Sequence, residues 1–99
     1  LDAIETGPGP YANEDLLKSG LAVLRNPRNR RNLARVADIV PDVVSIRLVD
    51  YSLQEHTRGY FVPIWRAETA DGRWFSFRNI PWQSGGNGPE VFNVRKERT

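Results

Sequence analysis

Two runs rich in aromatic and β-branched residues, from Tyr60 to Thr69 and from Arg73 to Ile80, flank Ala70-Asp71-Gly72 and predict a β-hairpin. A two-residue Asp71-Gly72 turn would set Phe75 and Phe77 beside Glu68 and Arg66. A three-residue loop with Gly72 left-handed at a bulge instead pairs Thr69 with Arg73. Phe75 then faces Ala67 and Phe77 faces Trp65, so the apolar side chains gather on one face, and this is the register expected.

Upstream the period is helical. Leu17, Leu21 and Leu24, widened by Leu16 and Val23, follow the cap residue Asn13 and the acidic first turn Glu14-Asp15, which predicts a helix over residues 14–25. Asn26-Pro27 stops it and offers a cap and first position for a second helix, ending before Pro41. The expected apolar stripe of that helix is Leu33, Val36, Ala37 and Val40, with Arg28, Arg31 and Arg35 on another side. Three cations near its N-terminus oppose the helix dipole, so order is expected from about Asn32.

After Pro41-Asp42 the pattern alternates. Val44, Ile46 and Leu48 face one way, and Val43, Ser45, Arg47, Val49 and Tyr51 the other, in a strand ending near Leu53. Pro63 lacks a ladder donor and belongs on an edge or at a bulge. Residues 90–95 read as a short fourth strand with Val91 and Asn93 on one face and Phe92 and Val94 on the other. The expected fold is α+β: two N-terminal helices packed on one face of a three- to four-stranded antiparallel meander. Two Gly-Pro pairs mark residues 1–12 as a flexible leader, the single domain spans 13–95, and 96–99 is expected to fray. The glycine-rich stretch 83–89 reads as a flexible loop.

Composition narrows the chemistry. The 99 residues suffice for one domain with its own core. With no cysteine there is neither a disulfide framework, thiol catalysis nor a cysteine-ligated metal. His56 is the single histidine and sits in a charged connection, where a solvated side chain is the simpler reading than a general base. The serines lie in no nucleophile motif, and the glycines at 85, 86 and 88 lack the Lys-Ser/Thr of a phosphate loop. An enzyme, a cofactor and a metal site are therefore not expected. Nor is a membrane partner, since no apolar run approaches the roughly 20 residues that span a bilayer. The compartment is not legible.

The net charge of +2 is small, but its placement is uneven: five arginines fall between Arg25 and Arg35 with no acidic residue among them. Arginine suits planar, bidentate recognition of carboxylate or phosphate, which makes Arg28, Arg30, Arg31 and Arg35 one candidate binding group. The expected outer sheet face supplies another, with Arg47, Tyr51, Tyr60, Arg66, Trp74 and Arg78. Tyr, Trp and Arg are the residues enriched in protein interfaces, and interleaved rings and cations also suit single-stranded nucleic acid. The reading is a non-catalytic protein–protein interaction module of a larger assembly. The alternative is an RNA- or single-stranded-DNA-binding module using the same surfaces, and salt dependence separates the two.

Overall fold

In a computed structural model of the chain, residues 14–54, 60–79 and 88–99 are described, without the side chains of 14–17, 52–54, 60 and 61. A helix, α1 (Glu14–Arg25), precedes four strands, β1 (Val43–Gln54), β2 (Tyr60–Thr69), β3 (Trp74–Asn79) and β4 (Pro89–Arg95). The strands form one antiparallel sheet in the order β1-β2-β3-β4, which is the expected meander. One face carries the core: Ile46, Leu48, Trp65, Ala67, Phe75 and Phe77 lie under Leu21 and Leu24 of α1 and under Leu33, Val36 and Ile39.

The second predicted helix is absent. Between α1 and β1 the chain forms three separate 3-10 turns, Pro27–Asn29, Ala34–Val36 and Val40–Asp42. Asn26 caps the first as expected, its Oδ1 accepting from Arg28 N at 3.0 Å. Continuation then fails for physical reasons. Asn29 and Asn32 are poor helix formers, uncompensated arginines crowd the first turns, and the Asn29 side chain turns back to donate to Val23 O at 2.8 Å. That bond satisfies a carbonyl left open at the end of α1. A 3-10 turn repeats every three residues, so Leu33, Val36 and Ile39 are the buried set, while Ala37 is exposed and Val40 half-buried.

The β2–β3 hairpin has the expected register, with Trp65 opposite Phe77 and Ala67 opposite Phe75. Thr69 N donates to Arg73 O at 2.9 Å across the loop, and Gly72 adopts φ 90°, which glycine alone holds without strain. Pro63 pairs with Tyr51 of β1, but the β2–β3 ladder stops at Trp65, so no β3 carbonyl waits for the donor that proline lacks.

Bulges correct three other assignments. In β1 the register shifts between Val43 and Ser45 and again between Leu48 and Asp50. The first shift puts Val43 in the core at 1% exposure and Val44 outside at 41%, the reverse of the simple alternation. The second expels Val49 and returns Tyr51 to the core side, where it packs on the main cluster. In β4 a shift opposite Ser76 and Phe77 makes Phe92 the extra residue, so Val91 and Val94 both reach the core. Beyond β4 the last residues lie against the β2–β3 turn: Thr99 N donates to Asp71 O at 2.8 Å, and Arg98 Nε is 3.0 Å from Asp71 Oδ2.

Candidate functional site

The two groups of sequence candidates differ in how their charges are held. On the outer sheet face, β1, β2 and β3 bring Arg47, Arg66 and Trp74 together around Glu68. Arg47 pairs with Arg66 across the β1–β2 ladder, and Glu68 with Trp74 across the β2–β3 ladder. The Arg47 guanidinium donates to Glu68 Oε1, and Arg66 Nε lies 3.3 Å from the same oxygen. That second contact is ionic rather than a hydrogen bond, since Arg66 Nε, like Arg47 Nε, is buried without an aligned acceptor. The Arg66 guanidinium also covers the Trp74 ring, 3.9 Å from its centroid. Further along the face, Arg78 holds Glu90 at 3.1 Å across the β3–β4 ladder, with its guanidinium 6.0 Å from the Phe92 ring. Tyr51 stands apart on the core side, as the Val49 bulge requires. Tyr60 opens β2, and its side chain lies outside the described residues. His56 and residues 83–87 lie outside them as well.

The Arg-rich corner is organised otherwise. Arg28, Arg30, Arg31 and Arg35 are all exposed, and none has an ion-pair partner among the described residues. The nearby carboxylates are committed elsewhere: Asp42 accepts from Arg73 Nη2 at 2.6 Å, and Asp38 lies 3.9 Å from Lys96 Nζ. Arg35 is separate from the other three, sharing a concavity with Arg95 and Lys96 at the end of β4.

Beside the corner, where α1 gives way to the 3-10 turns, a cavity of about 380 Å³ opens. Its walls are Leu24, Pro27, Leu33, Ala37, Val40 and Pro41, and Arg25 and Arg30 also line it.

Sequence reasoning missed this cavity, and it missed Arg73. Arg73 is 6% exposed and ties the hairpin to the start of β1. Its side chain reaches Asp42, the Asp38 carbonyl at 3.3 Å and Asp71 Oδ1 at 3.0 Å. Together these partners raise its pKa above an already high value, with Asp71 the largest cause and Asp42 the next. Reciprocally, the hydrogen bonds from Arg73 and Thr69 hold the Asp71 carboxyl at about 2. The signal for Arg73 was present in the sequence, because it shares the parity of Phe75 and Phe77 and so belongs on the core face.

Among the described residues no cluster of His, Cys, Asp and Glu could hold a metal, and no helix is long and apolar enough to cross a membrane. Set against known families, curated proteins and solved structures, the chain matches none of them.

Proposed function

We propose that the domain is a non-catalytic protein-interaction module that engages an acidic segment of another protein through its Arg-rich corner. One observation carries this reading: the corner presents the exposed guanidiniums of Arg28, Arg30 and Arg31 with no carboxylate partner among the described residues, whereas Arg47, Arg66 and Arg78 of the sheet face are already engaged. A guanidinium held by Glu68 must surrender that contact before taking another, so its net gain on binding is small. An exposed, unpaired one has nothing to surrender. The sheet face then serves as the scaffold behind the corner.

The same cations would attract phosphate, and the concavity holding Arg35, Arg95 and Lys96, three cations against the one carboxylate of Glu97, favours that second reading. Against it stands the state of three rings among the described residues, Trp74, Phe75 and Phe77. Single-stranded nucleic acid is held largely by bases on aromatic rings, and here Arg66 lies on Trp74 while Phe75 and Phe77 are at 0% exposure. The test is fluorescence anisotropy with a glutamate-rich peptide and an oligonucleotide of matched charge at two salt concentrations. The peptide should bind the parent and lose affinity for the variant Arg28→Gln/Arg30→Gln/Arg31→Gln. Preferential oligonucleotide binding, weakening with a log–log salt slope of about 0.9 per phosphate contact on duplex, would transfer the function to nucleic acid.

A further inference from the structure

Charge alone does not explain why the corner is built around a cavity. We infer that this cavity receives one large apolar side chain of the acidic partner segment, so that the domain recognises an apolar anchor flanked by carboxylates. The inference rests on the reading of the corner as a protein-binding surface and adds the sequence class that it selects.

Three observations support it. Six of the nine lining residues are apolar, Leu24 of α1 and Pro27, Leu33, Ala37, Val40 and Pro41 of the 3-10 segment, with Arg25, Asn26 and Arg30 as the polar ones, so release of water from the apolar part favours an apolar occupant. The volume of about 380 Å³ lies within the roughly 300–1,000 Å³ typical of ligand cavities and is ample for one large side chain. The cationic lining is the third. Arg30 lines the cavity and Arg28 and Arg31 are its neighbours in sequence, all exposed, so a peptide that buries its anchor brings its flanking residues to this cationic stretch. Carboxylates there gain charge-assisted, bidentate hydrogen bonds, while basic flanks are repelled. This complementarity selects an acidic peptide over a neutral one. A sugar–phosphate backbone satisfies the arginines but offers nothing for the cavity.

The experiment compares two labelled peptides by anisotropy, one with glutamates around a central leucine and one with serine in place of the leucine. With the parent domain the leucine peptide should bind about tenfold more tightly or better, the ratio expected for burying one such side chain. Ala37 is exposed at the cavity wall, so Ala37→Phe fills the space without disturbing the core. In that variant the two peptides should bind alike. Ala37→Leu, a smaller plug, should give an intermediate ratio, and circular dichroism confirms that both variants are folded.

Equal affinities for the two peptides in the parent, or a tenfold ratio that survives in Ala37→Phe, would overturn the inference. If the serine peptide binds in a salt-dependent way and leucine adds nothing, the cavity assignment fails while the Arg-corner reading stands. If neither peptide binds, both fail. An oligonucleotide that displaces the leucine peptide at equal concentration, or self-association that Ala37→Phe abolishes, would assign the surface to nucleic acid or to a second copy of the chain.

Discussion

Gly20 lies flat against the indole of Trp65: a Cβ added at Gly20 would stand 2.8 Å from the ring nitrogen. Glycine inside a helix costs about 1 kcal/mol relative to alanine, and here close approach outweighs that cost. The absence of a side chain lets α1 descend onto the sheet until Leu21 and Leu24 reach the core. Gly20→Ala should therefore destabilise the domain despite better helix propensity. Overpacking a tight contact costs about 1–3 kcal/mol, so a net loss near 1 kcal/mol is expected in urea unfolding. A variant as stable as the parent would mean that α1 shifts freely on Trp65.

Phe77 tests the centre of the hairpin. It is fully buried and stacks on Trp65 with centroids 5.4 Å apart and planes at 26°. Phe77→Ala should cost about 3–5 kcal/mol, the range for emptying a buried aromatic site. A loss below about 1 kcal/mol would contradict the observed face assignment.

Asp71 links stability to pH. Its carboxyl is held at about 2, below the ordinary 3.8, by hydrogen bonds from Arg73 and Thr69. A depressed folded-state pKa contributes stability that is present above the unfolded value and is lost as pH falls through the folded value. Stability should thus decline between about pH 4 and pH 2, and Asp71→Asn should flatten that part of the profile. Unfolding midpoints measured across this window check the sign. A slope unchanged in the variant would place the acid-sensitive groups elsewhere.

The arginines divide into two kinds. Arg28, Arg30 and Arg31 are exposed and have no ion-pair partner among the described residues, so replacing all three by Gln should change stability by no more than about 1 kcal/mol. Arg73 is buried and joins three segments through Asp71, Asp42 and the Asp38 carbonyl. Arg73→Gln should lower the melting temperature clearly more than the triple substitution does. Thermal scans of the two variants side by side decide it, and a larger drop in the triple variant would reverse the assignment.

The parts of this fold legible in the sequence were those that a single period governs. The hairpin register followed from Phe75 and Phe77 seeking Ala67 and Trp65, and α1 followed from leucines at helical spacing. What escaped were the breaks in period. A bulge at Val44 or Val49 leaves no mark in an alternating run of valines and polar residues, yet each one breaks the alternation, so that Val43 joins Ile46 and Leu48 in the core and Tyr51 returns to the core side. Residues 33, 36 and 39 carry a repeat of three that is easily taken for a helix, because Leu33, Ala37 and Val40 are also apolar. The candidate site shared this fate. The exposed Arg cluster was visible as composition, but the cavity beside it is lined by the 3-10 segment whose turns the sequence pattern did not disclose, and the pairing of Arg47, Arg66 and Arg78 depends on cross-strand neighbours.

The corner, and not the sheet face, is the surface proposed to meet the partner. The measurement that addresses it most directly is the amide chemical-shift map of the domain titrated with the glutamate–leucine peptide. The account predicts shifts confined to residues 24–41, with Arg47, Arg66, Trp74 and Arg78 unmoved. Shifts concentrated on those four sheet-face residues, with residues 24–41 unchanged, would contradict it.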